Sequence, residues 1–522
     1  MARTEARIQQ PAMPASLRDM IRAGEASAPA IAAPGRSVLD RAGLGREVDA
    51  LCGALRTLGV RQADRVAMVL PNGPEMAVAF LGVASGAVAA PLNPAYRGEE
   101  FDFYLSDIEA RLLLIEEGLD SPARAVAERR GIDIVDVRAV PQAPAGSLLL
   151  IHKGQVVVPA RLGSAGDFPS AGDTALVLHT SGTTSRPKIV PLLQRNLLAS
   201  ARNISRTLAL SPADRCLVVM PLFHIHGLIG ALSSSIYAGA SVFCPPGFNA
   251  LKFFSWLDES GANWYSAVPT MHQAVLARAE RNREVLARRK LRLIRSSSAS
   301  LPPQVMRDLE ATFGCPVIES YGMTEACHQM SSNPLPPAAR KPGTVGRAAG
   351  PQVAIMGGDG ALLAAGEAGE IVIRGENVTA GYANNPKANA EAFRDGWFRT
   401  GDLGRLDSEG YLTIEGRLKE IINRGGEKIA PREVDEALLD HPAVAQAVTF
   451  ALPHDKLGED VAAAVVLREG QSASERELRD FVAGKLADFK VPRRIVFLAE
   501  IPKGPTGKQQ RIGLAQRLGL AA

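Results

Sequence analysis

Residues 178–191 read LHTSGTTSRPKIVP: the end of an apolar run, one glycine among hydroxyl-bearing residues, and a lysine behind a proline. This is the chemistry of a phosphate loop, but two familiar strand–loop designs fail on it. A Walker loop, G-x-x-x-x-G-K-[ST], needs glycine before the lysine and a hydroxyl after it, and here Pro187 and Ile189 flank Lys188. A nucleophile elbow, G-x-S-x-G, needs glycine two residues before Ser181, where His179 stands. The stretch therefore needs another α/β frame.

Outward from it, short apolar runs alternate with longer amphipathic ones. ARLLLIEE, TALVLHTSG, RCLVVMPL, ASVFCPP, NWYSAVPT, LRLIRSSSAS and CPVIESYG each end in turn or polar residues. That alternation predicts an α/β protein with buried sheets, its ligands gathered where strands end. The uncharged run Met76–Leu92 predicts a buried helix leading into a strand. After GYLTIEGRLKE the texture changes to a compact unit, with helices at 433–440 and 475–486 and strands at 445–451 and 461–467. We place the domain boundary at Arg417–Lys419, giving units 36–416 and 417–522, with residues 1–35, rich in Ala, Pro and Arg, packing loosely.

Bulk properties agree with a soluble enzyme of several lobes. At 522 residues, 46% hydrophobic and 22% charged, the chain is too long for one core. A net charge of +4 is not a nucleic-acid footprint, and the basic run RNREVLARRK (281–290) reads as an exposed helix face. Five scattered cysteines without a C-x-x-C pair predict a reducing compartment, and the adjacent Cys327 and His328 make a poor metal chelate. Neither a signal sequence nor a spanning helix is evident, so the expected location is cytoplasmic.

The chemistry lies in a set of motifs taken in order: HTSGTTSRPK, PLFHIHG, ESYGMTE, TGDLGRLDSEGYLTIEGRLKEIINRGGEKIAP and IPKGPTGK. Together, from about Leu51 to Arg511, they resemble the acyl-adenylate-forming, AMP-binding superfamily that contains the acyl-CoA synthetases. The resemblance implies a large N-terminal region of α/β sheet subdomains with a small, mobile C-terminal α+β domain. It also implies ATP, Mg²⁺ and coenzyme A as reaction partners. The implied reaction suits the problem, because a carboxylate repels nucleophiles and has no good leaving group. Adenylation removes both faults, and a thiolate then displaces AMP. The first step needs cations and donors around phosphates, as other phosphoryl transfers do.

The resemblance assigns roles residue by residue. Thr180, Ser181, Gly182, Thr183, Thr184 and Lys188 close over the outer phosphates. Thr324 donates to phosphate and Glu325 ligates Mg²⁺. Tyr321 stacks on adenine opposite Ala299 and Ser300, with Glu319, Ser320 and Gly322 in the same nucleotide-binding stretch. Asp402 accepts the ribose hydroxyls, Arg417 holds ribose or phosphate, and Lys508 is the adenylation lysine. Lys419 is the hinge about which the small domain rotates, bringing Gly425, Gly426 and Lys428 to the pantetheine arm. This chain departs from the common loop pattern at Ser185 and Ile189, where relatives carry glycine. It also carries SSSAS where many have GGAPL, exchanging backbone freedom for hydroxyls.

For the acid, the resemblance points to His224, Ser298 and His328, with His226 either joining them or packing behind. Three convergent polar groups suit a short acid with a second polar end better than a fatty-acyl tunnel. The surrounding segments WYSAVPTMHQ, RSSSASL and MTEACHQMSSNPLPP resemble the oxalate–CoA ligase branch most closely. Malonate or another short or aromatic acid is the runner-up substrate. An enzyme loading a carrier protein and a non-catalytic nucleotide binder are the competing classes.

Overall fold

Strands buried on both faces read as unbroken apolar runs, and Leu112–Glu116 (LLLIE) is one of these, with only its glutamate exposed. The computed structural model describes residues 14–163, 167–180, 187–502 and 511–520. Among these residues the strands form four sheets, of nine, eight, five and five strands.

The eight-stranded sheet has a parallel centre, Thr174–His179, Val88–Pro91, Arg65–Val69 and Leu112–Glu116. The run Met76–Leu92 becomes the helix Pro74–Gly86, opened by a proline in its first turn, and then the strand Val88–Pro91. At the sheet's other edge Thr174–His179 pairs antiparallel with Ile189–Leu193, so the segment between them is a hairpin connection. Two bonds close its base: Thr180 N donates to Lys188 O at 2.9 Å, and Lys188 N donates to Thr180 Oγ1 at 3.2 Å.

The nine-stranded sheet has a parallel core of Ser241–Phe243, Arg215–Leu217, Trp264–Ala267, Leu293–Ser296 and Val317–Met323. The strand His328–Ser332 then returns antiparallel on Val317–Met323. Because the core strands are parallel, their carboxyl ends share one edge, and the polar tails after Ala267, Ser296 and Met323 emerge there together. Residues 14–35 correct an expectation, for they do not pack loosely. Leu17–Arg22 is a helix with Leu17, Met20 and Ile21 buried, and Pro29–Ala32 joins this sheet parallel to Ser241–Phe243. Ala30, Ile31 and Ala32 are buried in that strand, and Pro29 at its start is exposed.

The third sheet ends at Arg417, a turn covers 418–420, and the fourth sheet begins at Ile422. This turn separates the two sheets. Beyond it, Gly458–Leu467 pairs antiparallel with Val444–His454 and parallel with Arg494–Phe497, under the helices Pro431–Leu439 and Glu475–Ala483. Ser474 and Glu477 cap the latter helix reciprocally, and Gly484 ends it. Ile422, Val434, Leu438, Val461, Leu478 and Val482 form this domain's own core.

Candidate active site

A cavity of about 580 Å³ lies between the strand ends of the large domain and the helix Pro431–Leu439 of the small one. Thr180, His224, Ser298, Ala299, Ser300, Ser320, Tyr321, Gly322, Thr324, Asp402 and Arg417 all line it. The sequence scatters these residues over 238 positions, and the parallel sheet edge gathers them.

At one end Asp402 and Arg417 face each other across paired strands, with Arg417 Nε 3.2 Å from Asp402 Oδ1. The Tyr321 hydroxyl donates to the other oxygen of Asp402. Burial, with the Asp402 charge next, raises the Tyr321 pKa far above its usual range, so the phenol stays a neutral donor. Asp402 in turn raises the Arg417 pKa. The arrangement offers a flat aromatic ring, a carboxylate and a guanidinium, which suits a nucleoside.

Glu325 does not line the cavity. It is buried behind it, one carboxyl oxygen accepting the Tyr382 hydroxyl at 2.9 Å, and burial raises its pKa. Lys188 Nζ sits 4.5 Å from the centre of the Tyr382 ring, linking the base of the loop to this carboxylate. Among the described residues no group of three or more His, Cys, Asp or Glu could cage a metal. A lone carboxylate beside a phosphate site fits Mg²⁺, which keeps water and phosphate oxygens as its other ligands.

Among the described residues, five nucleotide or CoA assignments do not line the cavity: Lys188, Glu319, Gly425, Gly426 and Lys428. Glu319 is corrected outright: it is fully buried and accepts from Leu301 N at 2.9 Å, so it braces the 298–302 segment from behind. Gly425 and Gly426 form the turn of the hairpin Ile422–Ile429 at φ of 60° and 104°, with Lys428 exposed beside them and away from the cavity. Lys419 is exposed in the interdomain turn. Ser181, Gly182, Thr183, Thr184 and Lys508 lie outside the described residues.

His224 and Ser298 also line the cavity, but His328 does not, and its expected place there is corrected. It is buried, its ring stacked on His226 with centroids 4.6 Å apart, and its Nε2 accepts from Arg295 Nη1 at 2.8 Å. His226 belongs to the cluster: Nδ1 lies 3.1 Å from Ser298 Oγ and Nε2 lies 2.6 Å from Ser266 Oγ. Gly230, in the π-helix His226–Ser233, lets the backbone approach both rings, since a Cβ there would meet His328 Nε2 at 2.8 Å and His226 Cδ2 at 3.0 Å. Ser298 and His328 both hold positive φ, 70° and 94°. Strain of this kind costs about 1–3 kcal/mol per residue and concentrates at functional sites.

Sequence reading missed Arg295, Ser266 and Tyr382. Arg295 had a signal: an arginine inside the apolar strand LRLIRS, just before a site-lining tail. Tyr382 had none, because its partner Glu325 lies 57 residues away.

The comparisons agree with this geometry. Residues 23–383 match the AMP-binding enzyme family and residues 433–508 the AMP-binding enzyme C-terminal domain. The oxalate–CoA ligase of Arabidopsis thaliana is 46% identical over 88% of this chain and 89% of its own. That of Saccharomyces cerevisiae is 42% identical over 88% and 87%. Crystal structures of MatB from Rhodopseudomonas palustris, 28% identical, superpose over 97% of this chain and 99% of theirs. Their TM-scores are 0.87 with ATP bound and 0.77 without. Family match, fold and the nucleotide-shaped end of the cavity converge, and this chain belongs to the AMP-binding enzyme family, within its acid–CoA ligases.

Proposed function

We propose that the acid is oxalate, and that the chain makes oxalyl-CoA, AMP and diphosphate from oxalate, ATP and CoA. The carrying observation is the part of the cavity where an imidazole and a hydroxyl stand at the wall with a buried polar cluster behind them. A fatty-acyl tunnel would leave those donors unpaired, at about 1–3 kcal/mol for each buried group. The two relatives named oxalate–CoA ligases support the same choice.

In this reading one oxalate carboxylate oxygen attacks the α-phosphorus of ATP and diphosphate leaves. The thiolate of CoA then attacks the acyl carbon and AMP leaves. Tyr321 stacks on adenine against Ala299 and Ser300, while Asp402 and Arg417 hold the ribose. Thr180 and Lys188, with the loop 181–184 between them, bind the outer phosphates. Mg²⁺, when bound, would supply positive charge to phosphate oxygens; Glu325 is the residue to hold it, and Thr324 donates to phosphate. Lys508 offers its charge to the adenylation transition state. Gly425, Gly426 and Lys428 meet the pantetheine arm after rotation about Lys419. Ser298 and His224 hold the second carboxylate of the acid.

Cytoplasmic residence is part of the same proposal. All five cysteines are buried and free, and among the described residues no helix is long and apolar enough to cross a membrane. Cell fractionation tests it.

The substrate test is a panel of oxalate, malonate, acetate, octanoate and benzoate, compared by kcat/KM. Oxalate is expected to lead, with malonate next. Octanoate or benzoate ahead of both diacids overturns the reading. AMP release that depends on CoA, rather than on an added carrier protein, excludes a carrier-loading enzyme.

A further inference from the structure

Arg295 is the structure's most unusual charge. It sits mid-strand in the nine-stranded sheet, in register with Ser266 on one side and Ile318 on the other, and none of its surface is exposed. Among the described residues no carboxylate pairs with it. Its guanidinium is spent on neutral groups: Nη1 lies 2.8 Å from His328 Nε2 and 3.3 Å from Ser266 Oγ, and Nη2 lies 3.1 Å from Gln329 Oε1. Its Nε has no partner. Burial lowers its pKa to about 9, which still leaves it charged at neutral pH. A buried cation without an anion is costly, and such charges are ordinarily paired.

The direction of the bonds around it supplies a reason. An arginine can only donate. His328 Nε2 must therefore accept, which fixes His328 as the neutral Nδ1–H form. Ser266 Oγ receives a guanidinium hydrogen and keeps its own, which in one tautomer of His226 it donates to Nε2. His226 then carries its hydrogen on Nδ1 and donates to Ser298 Oγ, so the Ser298 hydroxyl is free to donate into the cavity. In that tautomer every bond in the chain Arg295–Ser266–His226–Ser298 points from the buried charge toward the cavity wall. A chain of aligned donors in a low-dielectric interior polarises along its length and presents a positive end.

We propose that Arg295 is a positioning residue for the acid. It orients the Ser266–His226–Ser298 chain so that Ser298 acts as a donor, and it provides the buried positive charge that selects a short acid bearing a second carboxylate. The missing counter-ion is the substrate itself. This rests on the diacid reading above and deepens it, for it names the origin of the selectivity.

The test compares oxalate with glyoxylate, which keeps the size and one carboxylate but replaces the second by an aldehyde. In the full-length enzyme Arg295→Gln is expected to lower kcat/KM for oxalate about 10- to 100-fold, mainly through KM, the range for a lost hydrogen bond to a charged group. Glyoxylate should change several-fold less, so the preference for oxalate collapses, and Arg295→Lys should restore part of it. Ser266→Ala, which cuts the chain but leaves the charge, is the second variant should Arg295→Gln fail to fold, and it too should reduce the preference. Equal losses for both acids, or an unchanged preference in the folded variants, overturn the proposal while leaving the oxalate reading intact. A wild-type enzyme without a diacid preference overturns both.

Discussion

Ser298 shows how much one residue can carry. Its backbone is held at a φ of 70°, its hydroxyl meets His226 Nδ1 at 3.1 Å, and its side chain stands at the cavity wall. Ser298→Ala removes the last group of the donor chain and leaves a buried imidazole nitrogen without its partner. We expect KM for oxalate to rise about 10-fold or more, with AMP formation from any accepted acid otherwise intact, because a lost hydrogen bond to a charged ligand is worth about 1.5–3 kcal/mol. Steady-state kinetics with oxalate varied at saturating ATP and CoA checks this; an unchanged KM removes Ser298 from the acid site. Ser298 was proposed for the acid site from the family resemblance of the SSSAS segment, and it lines the cavity. Arg295 was not singled out, because a single arginine in a strand ordinarily points to solvent, and only the flanking sheet shows that this one does not. His328 was found for its chemistry but misplaced in depth, since sequence order gives no account of which ring stands in front.

Whole elements explain where those residues come to rest. On the strand Val317–Met323, Glu319 and Tyr321 are two residues apart and share a face, so position along the strand separates them: Glu319 lies buried in register with Ser296 in the parallel ladder, and Tyr321 lies nearer the carboxyl end and lines the cavity. Read as motif letters, ESYGMTE made all its members equal, and depth along the strand separates Glu319 from the members at its carboxyl end. Glu319 accepts from Leu301 N with one oxygen and leaves the other unpaired. Burial is the main cause raising its pKa from 4.5 to about 7, partly opposed by Arg432. A carboxyl whose pKa is raised on folding binds its proton more tightly in the folded state. Its contribution to stability is thus full below about pH 4.5 and is lost as pH rises through about 7. Glu319→Gln keeps an acceptor for Leu301, gives the second position hydrogens, and cannot ionise. We expect it to be near neutral at pH 5 and stabilising at pH 8, by at most about 3 kcal/mol from the size of the shift. Thermal melts at the two pH values decide this, and a variant that is less stable at pH 8 than the wild type contradicts it.

At the scale of the whole molecule two reactions share one cavity, and the two domains divide the labour. The junction at 417–419 is our proposal; the fold class and the sheet alternation were readable, because hydrophobic period follows the elements. The relative placement of the domains was not, since it depends on contacts such as Arg432 Nη1 donating to Ile414 O at 2.8 Å across that junction. In this placement the helix Pro431–Leu439 and Arg511 close over the nucleotide end, whereas the Gly425–Gly426 turn stays away. The superposition is correspondingly nearer to MatB with ATP than to MatB without it. Arg511 bonds Thr449 O at 2.9 Å and Asp435 Oδ2 at 2.5 Å, so the chain three residues beyond Lys508 is anchored to the cavity side of the small domain. We propose that this is the arrangement for adenylation, and that in thioester formation the small domain turns about Lys419 and withdraws that side. Lys508→Ala should then separate the half-reactions. Adenylation, followed as oxalate-dependent exchange of diphosphate into ATP, should fall about 100-fold or more, the scale for removing one charged stabiliser of a transition state. Thioester formation from supplied oxalyl-AMP and CoA should stay within several-fold of the wild type, because Lys508 has left the cavity by then. Equal loss in both measurements would mean that one fixed placement serves both steps, and the hinge at Lys419 would have no part in the cycle.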